Sequence, residues 1–588
     1  RRNRCDAGVG DLVRWRRFRG RDDMHDAAAA RLDIIARATA PGQPYELVQR
    51  TDIRGPVRTF VNAPRSLRQL YTDTVSDAEF IVSGDERWTF ADAWRDASTI
   101  GHMLVHECGV QPGDRVAISM RNYPEWMLAF CAATSVGAVA VAMNSLWNAE
   151  EMTYGLEDSG ATVLFADRER LELLEQCPVI PGLTVVEVRH TGAPRAEVNL
   201  TDRMGAIGAV PMPDVDIDPN DPALILYTSG STGHPKGVLS SHHNVLVALM
   251  AWELEYGTLA ERSGIRVSPP EGSPVGPATL LGIPLFHVLG LHAVFLGSFR
   301  SQRKTVTMLK WDAALAAELI EREQIVTFTG PPAVTGDLVR EARRAGRDLS
   351  SLLTVGGGGA ARAPEQVRQI DDTFDTAIPN TGWGMTETNA IGTLIVGSDY
   401  TDRPLSSGPP LAVIDLRVVD ESGAPLPAGE RGELQVRGPS MFREYWNKPE
   451  ATASSFAEDG WFRTGDVAFI DDDGHLFIVD RIKDLIIRGG ENIGCGGVEA
   501  ALAAHPDVVE AAVYAVPDER LGEEVGATVY ASSPIDADEL RAFLAGHLAR
   551  FEIPRYISLR DEPLPRTGSG KLLKRQLRDE AVAELGLD

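Results

Sequence analysis

The run Leu226-Tyr227-Thr228-Ser229-Gly230-Ser231-Thr232-Gly233-His234-Pro235-Lys236-Gly237 alternates hydroxyls with glycines and ends in a lysine. Such a loop is suited to wrapping an anion. Glycines let backbone N–H groups approach a ligand, the hydroxyls add donors, and Lys236 adds a full positive charge. A polyphosphate is the expected guest. The spacing is not that of a Walker loop, because Pro235 precedes the lysine and Gly237 follows it. Read alone, the run also fits a flexible surface loop; the apolar Ala223-Leu224-Ile225-Leu226 before it favours a buried strand feeding a phosphate loop. Near the other end, Thr567-Gly568-Ser569-Gly570-Lys571 presents a second lysine on a loop with almost no side-chain bulk, able to reach into a neighbouring cleft.

TSGSTGHPKG resembles the signature of the adenylate-forming enzymes, which include acyl- and aryl-CoA synthetases, luciferases and peptide-synthetase adenylation domains. Further motifs of that family follow in order: PLFHVLG around Phe286-His287, GWGMTE from Gly382 to Glu387, WFRTGD from Trp461 to Asp466, DRIKD from Asp480 to Asp484, and PRTGSGK from Pro565 to Lys571. The resemblance covers roughly residues 50 to 580. It implies coupling of a carboxylic acid to a thiol through an acyl-adenylate, with ATP, Mg²⁺ and coenzyme A as co-reactants. A carboxylate is a poor electrophile, and transfer to AMP gives it a leaving group; the step needs phosphate neutralisation, a metal, and a cation where two anions meet.

The resemblance implies a role for each residue. Thr228, Ser229, Gly230, Ser231, Thr232, Gly233 and Lys236 would cradle the β- and γ-phosphates. Glu387 would be the Mg²⁺ ligand, with Thr386 at the α-phosphate; without its context, Thr-Glu is also an ordinary helix start. Trp383 would stack on adenine, or serve as plain core, and Gly358, Gly359 and Ala360 would line the base. Asp466 would hold the ribose hydroxyls, with Arg481 beside it; a surface-turn aspartate is the alternative. Lys571 would steady the carboxylate and α-phosphate during adenylation only. The small domain would then swing about Lys483, after which Gly489 and Gly490 would line a tunnel for the pantetheine arm.

His287 bears on the acid. Amino-acid-activating relatives carry an aspartate after that phenylalanine, whereas a histidine resembles the fatty- and aryl-CoA synthetases; a satisfied core histidine is the other reading. A medium- or long-chain fatty acid, or a similarly apolar acid, is therefore expected. Delivery to a carrier protein instead of CoA, an inactive nucleotide-binding relative, and a luciferase-like oxygenase are alternatives. The chain departs from the family at Gly494-Cys495-Gly496-Gly497, where an aromatic or serine, a proline and an acid are usual, and at Glu552, where a lysine is common. Cys495 is read as a packing substitution.

These residues must be positioned by more than one core, since the chain has 588 residues. From Trp88 to Asp167 strands and amphipathic helices alternate, which implies a doubly wound α/β sheet. A second such series is expected from Ala223 through Ile325–Phe328 to the Gly356–Gly359 turn. Short β runs after Gly408 suggest a small β-rich subdomain, and the residues beyond Asp484 a compact α+β domain. The expected division is a disordered Arg-rich extension over 1–23, ahead of a start at Met24, an N-terminal domain over 24–480, a hinge at 481–483 and a C-terminal mobile domain over 484–588. In the last, helices are expected over Val498–His505 and Ala537–Arg550, and strands over Ala511–Val516 and Ala527–Tyr530.

Net charge is −26, from 84 acidic and 58 basic residues, which argues against nucleic-acid or anionic-membrane surfaces. The five cysteines have no CxxC spacing, so neither a disulfide framework nor a zinc site is indicated, and a reducing cytoplasm fits. The longest apolar run, Leu128 to Met143, is broken by Thr134, Ser135 and Gly137 and falls short of the about 20 residues of a transmembrane helix; it reads as helix, turn and strand. The partners expected are the small-molecule acid, ATP and CoA, with no nucleic acid; a homodimer is left open.

Overall fold

A computed structural model describes residues 21–228, 235–264, 276–360, 362–489, 491–566 and 572–587. Two eight-stranded sheets form the bulk of it. In the first, Pro222–Thr228, Val139–Ala142, Arg115–Ser119, Val163–Asp167, Thr184–Val188 and Val198–Asn199 run parallel in that spatial order. Lys236–Ser241 and then Glu444–Tyr445 add antiparallel at one edge. These strands are runs of Val, Ala, Ile and Leu buried on both faces, as a covered parallel sheet requires.

The second sheet orders Ile395–Val396, Ile378–Thr381, Thr354–Gly357, Thr327–Gly330, Ala278–Leu281, Lys304–Thr307, Glu79–Ser83 and Glu86–Thr89. One core cluster, containing Phe80, Val116, Trp126, Phe130, Leu226 and Phe295, belongs to both sheets. The helices Phe90–His106 and Pro124–Ser135 supply its middle layer. The first begins on a capping box, in which Thr89 and Asp92 satisfy each other's backbone N–H groups, and the second on Pro124. The segment from Leu128 to Met143 is indeed helix, a turn at Gly137, and the strand Val139–Ala142.

The expected start of the second βα series at Ala223 is corrected. Pro222–Thr228 pairs parallel with Val139–Ala142 and so belongs to the first sheet, while the second takes up Glu79–Ser83 from far upstream. Parallel strands are joined by crossovers, so neighbours in space need not be neighbours in sequence.

The short β runs after Gly408 form a four-stranded antiparallel sheet of Asp415–Val419, Gly432–Arg437, Phe462–Ile470 and Leu476–Arg481. Beyond it, five strands, Ile486–Arg488, Glu491–Ile493, Val508–Asp518, Gly522–Ala531 and Tyr556–Arg560, carry the helices Cys495–Ala503, Ala537–Leu544 and Lys574–Leu585. The two long strands extend those expected at Ala511–Val516 and Ala527–Tyr530. The helix expected to reach Arg550 stops at Leu544, and the one expected over Val498–His505 spans Cys495–Ala503. Cys495 is 1% exposed, its thiol donates to the Asp484 carbonyl at 3.1 Å, and burial pushes its pKa up, which makes it a packing residue.

Candidate active site

Asp466 lies on strand Phe462–Ile470 with 2% of its surface exposed. Its Oδ2 accepts from the Trp383 indole N–H at 2.8 Å, and its Oδ1 pairs with the Arg481 Nε at 2.6 Å. Asp466 and Arg481 are direct register partners across two strands, so sheet pairing alone brings them together. Three residues expected at adenine and ribose thus form one hydrogen-bonded unit. A carboxylate offers several acceptor directions, which suits it to vicinal hydroxyls.

Trp383 is held by close backbone packing. A Cβ on Gly382 would stand 2.2 Å from the Thr393 carbonyl oxygen, and one on Gly384 would stand 2.2 Å from that of Ala390, so only glycine fits on either side of the indole. The chain then turns through the one-turn 3₁₀ helix Thr386–Thr388 and two left-handed residues, Asn389 at φ 54° and Ala390 at φ 69°. Asparagine tolerates that conformation; alanine there is strained, as residues at functional turns often are.

Asn389 is the hub behind this turn. Its Nδ2 donates to Ser240 Oγ at 3.0 Å and the Ser440 carbonyl at 2.7 Å, and its Oδ1 meets His292 Nε2 at 2.9 Å. His292 has no exposed surface, and burial pushes its pKa down to about 4, so it is neutral and donates to that oxygen.

Glu387 points from the same turn and is 7% exposed. Its Oε1 accepts from the Tyr445 hydroxyl at 2.8 Å, and its carbonyl accepts from Phe442 N at 2.8 Å. The Lys236 ammonium sits 4.9 Å from the centroid of the Tyr445 ring. Thr228 and Lys236 face each other as register partners at the two ends of the hydroxyl-rich run. Behind it, Asp158 accepts from the Tyr227 hydroxyl at 2.8 Å, and the Tyr154 hydroxyl lies 3.1 Å from the Pro235 carbonyl. Among the described residues no group of three or more His, Cys, Asp or Glu side chains could hold a metal. A single buried carboxylate fits Mg²⁺, which binds one or two carboxylates together with substrate phosphates.

His287 precedes the π-helix Leu289–Leu296, a rare form concentrated at functional sites. Asn122 clamps this segment, donating to the Ile283 carbonyl at 2.9 Å and accepting from Leu285 N at 3.0 Å. A Cβ on Gly358 would lie 3.4 Å from Leu289, so the Gly358-Gly359-Ala360 turn, with Gly359 at φ 79°, flanks the start of that helix. Gly489, at φ 60°, turns the chain after strand Ile486–Arg488 and joins none of these clusters. Lys483 is exposed in a 3₁₀ turn over Ile482–Asp484. Ser229, Gly230, Ser231, Thr232, Gly233, Gly490 and Lys571 lie outside the described residues.

The residues that sequence reasoning missed are Tyr445, Asn389, His292, Asn122 and Asp158, none of which lies in the motifs named above. The family comparisons agree with the geometry. The family described as AMP-binding enzyme matches residues 70–446, and the AMP-binding enzyme C-terminal domain matches 497–571. A feruloyl-CoA synthase from Amycolatopsis is 34% identical, over 85% of this chain and 95% of its own length. The long-chain-fatty-acid–CoA ligase FadD13 of Mycobacterium tuberculosis is 32% identical, over 85% and 94%. The ATP-bound structure of MatB from Rhodopseudomonas palustris superposes with a TM-score of 0.76 at 28% identity, covering 88% of this chain and 99% of that one. The chain therefore belongs to the AMP-binding enzyme family, the adenylate-forming superfamily, within its acyl-CoA synthetase branch of acid–thiol ligases.

Proposed function

We propose that the protein joins an apolar carboxylic acid, a medium- or long-chain fatty acid or an acid of similar polarity, to coenzyme A in the cytoplasm, using ATP and Mg²⁺ through an acyl-adenylate. The observation that carries this reading is the apolar segment that reaches the glycine turn, where Leu289 would lie 3.4 Å from a Cβ on Gly358. His287 stands where amino-acid-activating relatives carry an ammonium-binding aspartate, with the buried Phe286 before it and the buried Leu291, Val294 and Phe295 after it. The two relatives named for their acids, feruloyl and long-chain fatty, have apolar bodies in common. The four described cysteines are free thiols, in keeping with a reducing compartment. No described helix is long and apolar enough to cross a membrane.

In this reading Asp466 and Arg481 orient the ribose, Trp383 covers the base, and Thr228 and Lys236 draw the outer phosphates to the edge of the first sheet. Glu387 would hold Mg²⁺, which supplies charge neutralisation on the phosphates. Lys571 would neutralise the meeting of carboxylate and α-phosphate, and Lys483 would let the small domain exchange Lys571 for the thiol path. The test is turnover of the purified protein with ATP, Mg²⁺ and CoA against a carboxylate panel. Chains of about eight to eighteen carbons and aryl acids should yield thioester with AMP release, and a preference for amino acids or small polar diacids would refute the substrate class.

A further inference from the structure

The residue most closely tied to both charged groups of the phosphate site lies in neither of their motifs. Tyr445 belongs to the two-residue strand Glu444–Tyr445, which pairs antiparallel with Lys236–Ser241, opposite Val238. Flanking bonds fix its backbone: Arg443 N donates to the Leu239 carbonyl and Trp446 N to the Gly237 carbonyl, both at 2.7 Å. Tyr445 N itself donates to Thr452 Oγ1 at 2.9 Å. A side chain 7% exposed is thereby set between two loops that have no strand in common. Its hydroxyl, 2.8 Å from Glu387 Oε1, has one proton and gives it to that carboxylate. Its ring faces the Lys236 ammonium at 4.9 Å, within the range at which an aromatic quadrupole attracts a cation.

We propose that Tyr445 is a positioning residue for adenylation, its hydroxyl orienting Glu387 toward the metal and its ring orienting Lys236 toward the phosphates, so that the two charges meet the nucleotide as a set. This rests on the assignment of Glu387 and Lys236 to the metal and phosphates. Holding Oε1 from one side leaves Oε2 to face a cation. Two charges fixed before the nucleotide arrives need not be reorganised when it binds.

The two functions of the side chain separate by substitution. Tyr445→Phe removes the hydroxyl and keeps the ring; Tyr445→Leu removes both. The full chain is titrated with ATP by calorimetry, with and without Mg²⁺ and with no acid present, and thioester formation from supplied acyl-AMP is measured beside it. Wild type should bind ATP more tightly with Mg²⁺. Tyr445→Phe should lose roughly tenfold of that gain, the worth of one hydrogen bond to a charged group, and keep Mg²⁺-free affinity. Tyr445→Leu should in addition weaken Mg²⁺-free binding by about threefold. Tyr445→Phe/Glu387→Gln should bind no more weakly than Glu387→Gln, since the hydroxyl acts through that carboxylate. Thioester formation from acyl-AMP should stay at the wild-type rate in Tyr445→Phe.

Wild-type Mg²⁺ dependence in Tyr445→Phe beside a defective Glu387→Gln would overturn the proposal alone. Wild-type Mg²⁺ dependence in Glu387→Gln itself would overturn the assignment beneath it. A lowered melting temperature, with ATP binding and thioester formation from acyl-AMP reduced alike, would make Tyr445 a structural residue and also refute the proposal.

Discussion

Replacing Asp466 by alanine tests the nucleotide site where its geometry is tightest. The change deletes the acceptor of the Trp383 indole N–H at 2.8 Å and the partner of Arg481 at 2.6 Å. The indole is buried, and an unsatisfied buried donor costs about 1–3 kcal/mol. The Arg481 side chain is 43% exposed, so water takes it over and that half of the loss is about 0–1 kcal/mol. The fold should survive, the sum of about 1–4 kcal/mol lowering the melting temperature by roughly 2–16 °C at about 2–4 °C per kcal/mol. Nucleotide binding should suffer more specifically, because the ribose hydroxyls would lose a charged acceptor worth about 1.5–3 kcal/mol, or tenfold and upward in ATP affinity. The assay compares KM for ATP and for 2′-deoxy-ATP. Wild type should discriminate against the deoxynucleotide, and Asp466→Ala should lose most of that discrimination. Trp383→Phe, which keeps the carboxylate, should retain it. If Asp466→Ala discriminates as well as wild type, the carboxylate does not contact the ribose, whatever happens to KM.

Lys571→Ala should depress acyl-adenylate formation by roughly 10²–10³ while sparing thioester formation from supplied acyl-AMP, as for a cation needed in one step only; equal losses in single-turnover assays of both steps would contradict this. Lys483→Pro should do the opposite, since it fixes φ in the turn Ile482–Asp484 and should trap the adenylating arrangement; pyrophosphate release without acyl-CoA is the expected result, and normal rates of both would move the pivot elsewhere. Burial lowers the pKa of His242 and His292 to about 4, from 6.5 when unfolded, so the unfolded chain binds more protons between those values. Stability is complete above pH 6.5 and falls by about 1.4 kcal/mol per pH unit per histidine as the pH drops toward 4. His292→Gln should therefore flatten the dependence of melting temperature on pH, and an unchanged slope would mean that His292 is charged in the fold.

The alternating strands and helices of residues 88–167 were readable because each buries a recognisable apolar pattern, and the antiparallel sheet after Gly408 because turns punctuate it. Strand order was not readable: nothing local in Pro222–Thr228 says that its neighbour is Val139–Ala142, and nothing in Glu79–Ser83 points to Lys304–Thr307. At the site, motifs pointed to Trp383, Glu387, Asp466 and Arg481, since the chemistry expected of them restricts residue type. The supporting shell is set by tertiary placement, so a tyrosine after Glu444 or a histidine inside an apolar helix carries no local mark. Asn389 offered the one faint signal, an asparagine directly after a short turn, where a left-handed conformation is often needed.

The pairing of Glu444–Tyr445 with Lys236–Ser241 also sets an order of events during synthesis. The strand behind the phosphate run leaves the ribosome about 200 positions before the segment that covers its edge, a delay of roughly 10–40 s at ordinary elongation rates. Glu79–Ser83 likewise waits for Lys304–Thr307. Through that interval the nascent chain carries open apolar strand edges, the surfaces most prone to pair with another molecule. The price of a site stitched from distant segments is thus a long vulnerable period at birth, and any ligand that touches both Lys236 and Glu387 could stabilise the chain only after that period has ended.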